Sequence, residues 1–236
     1  MKQLYTKYFF LLVVLCAFIN ATNAQIQSTV SGGDWNDPFT WIGGSVPGIG
    51  DDVVINGIVD CDVGHQCHNL IISSGAVLRN NYFNGSLTVN GNIINHGSIQ
   101  DYVSNMTLYL KGDVNNNGVW INSYIRINGT GNQTVTCLNG NEFGGYQFVM
   151  EKPSGNFTFD GEVNFNNCQV LLADYTVYLT PGSTINIHDA VFNNSTVMGG
   201  GSSSVINGIG TYNVDAPEFN YVHFNDLTLS GEINIY

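Results

Sequence analysis

From residue 65 onward the apolar residues fall on alternate positions in short runs, among them Leu87-Thr88-Val89, Leu108-Tyr109-Leu110 and Ile125-Arg126-Ile127. A period of two makes a short strand with one apolar side. The runs also recur. Leu87 to Gly97 aligns with Leu108 to Gly118 at a constant offset of 21, both reading L-x-(V/L)-x-G-(N/D)-(I/V)-x-N-x-G. Ile125 to Thr130 follows the second copy at an offset of 17, and Leu227 to Ile233 repeats the opening seven positions. One such unit cannot bury its apolar side alone, whereas stacked copies share a continuous core. The pattern therefore predicts an all-β chain folded as a right-handed parallel β-helix, with one turn per unit of about 20 residues. The glycine that follows the second apolar position is expected to turn a sharp corner at φ > 0. An antiparallel β-sandwich is the alternative, because Asn-Gly pairs such as Asn90-Gly91, Asn117-Gly118 and Asn128-Gly129 are hairpin signals. The constant offset favours the solenoid. Stacking at that offset would set Asn95 beside Asn116 and Gly97 beside Gly118. Amides so placed either bond along a ladder or face water as turn residues.

The front of the chain reads differently. Ser31 to Pro38 and Trp41 to Gly50 are turn-rich, and Asp51-Asp52-Val53-Val54-Ile55 then opens a strand. Residues 25–62 are expected to cap the solenoid and residues 63–236 to carry its repeats. Trp35 and Trp41 would plug the open end of the core. The alternative is that both rings are exposed as a ligand-binding platform for sugar stacking.

Residues 1–24 have the pattern of a secretory signal peptide. Lys2 and Lys7 precede the apolar stretch Tyr8 to Ile19, and Thr22-Asn23-Ala24 offers small residues before Gln25. Twelve apolar residues are too few to cross a bilayer, which needs roughly 20. No second apolar segment follows, so no transmembrane segment is expected in the mature chain, and the address is secreted or cell-surface. Charge narrows the partners. The chain carries −12, and loss of Lys2 and Lys7 with the leader makes it −14. That excludes nucleic acid, whose phosphates need clustered Lys and Arg. It also disfavours acidic polysaccharide.

Export permits disulfides. Cys61, Cys67, Cys137 and Cys168 remain as candidates, Cys61–Cys67 as a local staple and Cys137–Cys168 as the remainder, although four cysteines allow three connectivities. Cys61, His65, Cys67 and His68 have no standard zinc spacing, and no D-x-D-x-D calcium loop is present. No metal and no cofactor is expected. For catalysis, a glycoside hydrolase needs two carboxylates in different environments. Asp51 and Asp52, adjacent on a strand, point to opposite sides. Asp60 and Asp62 point to the same side and are the weak catalytic candidates. Their simpler role is to keep the solenoid soluble.

Three stretches carry a family resemblance. Thr40 to Ile55 (TWIGGSVPGIGDDVVI) resembles the opening of large secreted Bacteroidetes surface proteins, and more loosely that of animal G8 domains. Asn69-Leu70-Ile71-Ile72 with Gly75-Ala76-Val77-Leu78, and Ile127 to Val135, are similar to later elements of the same proteins. The resemblance implies G8-like β-helix modules, adhesin-like repeats and no catalytic residues. It leads to the expectation of a non-catalytic extracellular module that contacts a glycan or another cell-surface component. The rival is a polysaccharide lyase or hydrolase on the same scaffold. Leu227 to Ile233 is followed by only three residues. From this the chain is expected to be a fragment whose open end is partnered by its own missing C-terminal repeats.

Overall fold

The computed structural model describes residues 25–235, apart from positions 63, 82–83, 139, 172–175, 194–195, 199–203, 214–222, 226 and 231–232. From residue 187 it is described by backbone alone. Residues 1–24, where the sequence leads to the expectation of a signal peptide, lie outside the described residues.

Strands recur in threes, and each trio is one turn of a parallel β-helix. The first face stacks Gln25–Gln27, Asp52–Ile55, Leu70–Ile72, Ile93–Asn95, Val114–Asn116, Gln133–Cys137 and Phe157–Phe159. The second stacks Gly33–Asp34, Ile58–Asp60, Val77–Arg79, Ser98–Gln100, Val119–Ile121, Glu142–Phe143 and Glu162–Asn166. The third stacks His65–Cys67, Gly85–Val89, Met106–Leu110, Tyr124–Ile127, Gln147–Met150 and Gln169–Leu171. These make about six turns. Backbone pairing then continues to Ile233–Ile235. The long strand Thr184–Asn193 serves the second and third faces together, with a bulge between His188 and Ala190. Among the described residues the only antiparallel pairings are Cys137 with Glu162 and the bridge Ser28–Trp41. The sandwich alternative is thereby excluded.

Register follows the sequence repeat. Leu87 pairs with Leu108 and Asn95 meets Asn116, both at 21 residues. Leu108 pairs with Ile125 at 17, because the corner 101–105 shrinks to Asn122-Ser123 in the next turn. The last copy of the motif is rotated. Leu87–Val89 lies on the third face, but Leu227–Ser230 pairs on the second, with Ser204–Asn207. The motif therefore encodes strand, tight corner, strand, and fits more than one corner.

The glycines depart from expectation. Gly91, Gly112 and Gly129, which follow the second apolar position, do not have positive φ, and neither does Gly118 at the end of the unit. They are required because stacked corners nearly touch: a Cβ on Gly118 would lie 2.2 Å from Gly97 O, and one on Gly129 2.1 Å from Lys111 O. Asn-Gly here marks close approach between turns rather than a hairpin.

Inward positions form one core. The early turns fill it with aliphatic residues such as Val59, Leu70, Leu87 and Leu108. The later turns fill it with Trp120, Phe143, Phe148, Phe157, Phe159 and Phe165, with ring centroids 5.0–6.4 Å apart. At the front, Trp35 and Trp41 are buried edge to face at 5.0 Å. Trp41 Nε1 donates to Trp35 O at 2.7 Å, and Trp35 stacks on His65. A short 3-10 turn, Pro38–Thr40, brings Trp41 to this position. It is capped by Asp37, whose carboxylate accepts from Phe39 N at 2.9 Å.

Polar side chains cement the corners. At the entry to the first face each Asx oxygen accepts the N–H of its counterpart one turn on: Asn69 from Asn92 (2.7 Å), Asn92 from Asp113 (2.8 Å), Asp113 from Thr134 (2.8 Å). At its exit, buried Asn95 Nδ2 donates to Asn116 Oδ1.

Candidate functional site

The acidic candidates are engaged. Asp60 ends its strand on the second face, and Arg79, its register partner, donates Nε to Asp60 Oδ1 at 2.7 Å. That hydrogen bond raises the Arg79 pKa further. The guanidinium also lies 4.0 Å from the centre of the Tyr102 ring. Asp62 occupies the following corner, where it contacts His65 Nε2 and accepts from Asn36 Nδ2 at 3.3 Å. Partial burial, with Asp60, Asp37 and Asp62 nearby, raises the pKa of Asp34. Asp51, in the turn just before the strand, and Asp52, the first residue of the strand, have different partners. Asp51 Oδ2 accepts from Gly48 N at 2.8 Å, while Asp52 Oδ1 lies 2.9 Å from His68 Nδ1 and accepts from Asn69 Nδ2 at 2.8 Å. The His68 contact, aided by Asn69, holds the Asp52 carboxyl below its usual range.

Trp35 and Trp41 offer no face to a sugar, being 0% and 2% exposed. The platform reading is corrected: both indoles serve the core, because the sequence around them folds the chain end inward. The cysteine pairs are corrected too. Cys61, Cys67, Cys137 and Cys168 are free, buried thiols. Cys61 Sγ contacts the carbonyls of Asp62 and Ser86, each at 3.6 Å. Cys67 faces inward on a strand and pairs with Val89 on the turn above. Burial pushes the thiols of Cys67, Cys137 and Cys168 up to about 12, and that of Cys61 well above its ordinary value. Among the described residues no group of three or more His, Cys, Asp and Glu is gathered as a metal site.

Two shallow concavities of about 240 and 260 Å³ adjoin on the first face and share Asn92 and Ile94. Their Asx rim is the ladder just described, so its oxygens already accept backbone N–H groups. The third face is different. Its outward residues form two parallel rows across successive turns. One is Ser86, Thr107, Tyr124, Gln147 and Gln169; the other runs Thr88, Tyr109, Arg126. Tyr146 stands at the corner beside them, 53% exposed, its ring edge to face with Tyr124 at 5.6 Å. Arg126 lies 5.8 Å from the centre of the Tyr124 ring and pairs with Glu151. Gln147 Nε2 donates to Gln169 Oε1 at 3.1 Å. Sequence reasoning missed this grouping. The 17-residue offset already superposes Tyr109 on Arg126 and Thr107 on Tyr124, but the offset of 23 to Gln147 breaks the visible period.

No family model, no curated protein and no solved structure matches the chain. Among the described residues no helix is long and apolar enough to cross a membrane.

Proposed function

We propose that this chain is an exported, non-catalytic β-helix module of a cell surface, a stalk or adhesin-like segment that contacts extracellular glycan. The observation that carries the reading is the state of its carboxylates. Asp60 is tied to Arg79 and Asp52 to His68 and Asn69. A hydrolase acid and base would need two carboxyls in contrasting environments opening onto one cleft. The polar side chains at the corners are spent on holding turns together, which suits a structural rod. The leader-like residues 1–24 and the resemblance to Bacteroidetes surface proteins supply the address.

The test is export and inertness together. The chain expressed with its own first 24 residues should leave the cytoplasm and begin at Gln25. Once purified, it should release no reducing ends and no unsaturated sugars from a panel of neutral and acidic polysaccharides. Turnover that disappears in Asp60→Ala or Asp62→Ala would overturn the reading.

A further inference from the structure

We propose that the third face is a binding strip for a neutral polysaccharide chain, with Tyr124 and Tyr146 as its stacking residues and Tyr109, Arg126, Gln147 and Gln169 as its polar contacts. This rests on the reading of the chain as a glycan-contacting module and names where the glycan lies.

The first argument is chemical. A pyranose ring has apolar C–H faces and a rim of hydroxyls. It is held by aromatic rings that cover the faces and by planar donor–acceptor groups that meet the rim. Tyrosine offers both a ring and a polar tip, and amide and guanidinium groups are planar and rigid. On the third face these types gather at Tyr109, Tyr124, Arg126, Gln147 and Gln169, preceded by the hydroxyls of Ser86, Thr88 and Thr107, while the second row continues past Arg126 to Val149 and Leu171. The two tyrosines sit on consecutive turns, about 4.8 Å apart along the axis. The edge-to-face geometry of the pair keeps the Tyr146 ring, about half exposed, turned across that of Tyr124. Contacts of this kind repeat along a rod, so the strip suits an extended chain of sugars rather than a single one.

The second argument is electrostatic. The protein carries −12, and the other two faces hold their share of it: Asp52 and Asp113 on the first, Asp34, Glu142 and Glu162 on the second. The rows of the third face contain one charge, Arg126, and Glu151 neutralises it. A neutral, hydrogen-bonding strip on an acidic rod selects against polyanions such as polyuronate and in favour of uncharged glycan. The first-face concavities lack both features: their rim carries Asp52 and Asp113 and no aromatic ring.

The experiment is affinity electrophoresis of the exported chain through gels containing β-glucan, xylan, mannan, α-glucan or, as the anionic control, polygalacturonate. The expected result is retardation by at least one neutral polymer and none by polygalacturonate. Tyr146→Ala and Tyr124→Ala should each weaken that binding about tenfold or more, while Tyr146→Phe keeps most of it because the ring remains. Thr136→Ala, on the first face, should bind as the parent does. Melting curves establish that each variant is folded. Retardation by polygalacturonate alone, or equal binding by parent and both alanine variants, overturns the strip. Absence of retardation by every neutral polymer also overturns it, yet leaves an exported, inert rod standing. Binding that is lost in Tyr146→Ala but accompanied by cleavage of the polymer supports the strip and overturns the non-catalytic reading.

Discussion

Asn95 Nδ2 donates to Asn116 Oδ1 across 2.9 Å in a site closed to water, adding a side-chain link between two turns whose strands also pair through their backbones. Each amide also holds its own corner. Asn95 Oδ1 accepts from Gly97 N and Asn116 Oδ1 from Gly118 N, while their Nδ2 groups reach Val119 O and Glu142 O. Every lone pair and proton so engaged becomes a liability if its partner is removed. Asn116→Ala strands Gly118 N and Glu142 O and should cost about 1–3 kcal/mol. Asn116→Asp, of the same shape, should also destabilise, because its carboxylate faces Glu142 O with no proton to donate. Denaturant unfolding of the three proteins decides this, and an unchanged midpoint in both variants would refute a structural ladder.

Gly129 and Gly131 make a matched pair for the close-approach argument. A Cβ at Gly129 would meet Lys111 O at 2.1 Å, whereas one at Gly131 meets nothing within 4 Å. Neither has positive φ, so backbone strain does not separate them. Gly129→Ala should therefore force adjacent turns apart and cost about 1–3 kcal/mol. Gly131→Ala should stay within about 0.5 kcal/mol of the parent. Thermal melting of the two variants side by side is sufficient, and similar midpoints would show that these glycines were kept for another reason.

Among the described residues Lys152 is the one Lys, Arg, Asp or Glu that is buried. Its Nζ donates to Gly129 O (2.9 Å), Gly131 O (2.7 Å) and Gln133 Oε1 (2.7 Å), and the side chain is fully excluded from solvent. Burial lowers its pKa below the ordinary lysine value. The unfolded chain therefore binds more protons in the window between the folded pKa and the unfolded value of about 10.4. Stability contributed by this site should rise with pH across that window, the cost of the buried charge being present below it. Lys152→Met removes the charge and the donor to Gly129 O and Gly131 O, while Gln133 Oε1 keeps its bond from Gly129 N; the loss should be about 2–4 kcal/mol at neutral pH. The stability difference between parent and variant, measured from pH 7 upward, should widen as the window is entered. A flat difference would mean that the ammonium is as well solvated folded as unfolded.

The sequence repeat from Leu87 to Gly118 carried the architecture because there the corners keep one length. Period-two alternation supplied the strands, and the constant offset supplied their parallel stacking. Where a corner changes length the period vanishes, which is why the Tyr124–Gln147 and Phe148–Val170 pairings were not legible. Pairwise chemistry was less legible still. Asp60 and Asp62 share a side of the chain, as alternation requires, but Arg79 comes from the next turn and no local rule announces it. Trp35 and Trp41 are consistent with either a plug or a platform in sequence, since an indole has the same composition inside and outside. Only the inward fold of residues 28–41 distinguishes the two.

The cysteines offer a final test that also separates free thiols from the disulfide alternative. In the folded chain beginning at Gln25, burial pushes Cys67, Cys137 and Cys168 up to about 12, and complete burial, with Asp62 beside it, raises Cys61 well above its ordinary value. A thiolate is the reactive form, so at pH 8 a thiol reagent should find almost none of it, and burial blocks access to the rest. The expected result is no modification of the native protein. In denaturant without reductant, all four should react. Titration of two thiols or none under those conditions would establish disulfides. Where only free thiols are found, slow labelling of the native protein reports how often a turn opens. Cys168, at 6% exposure the least covered of the four, should then react first.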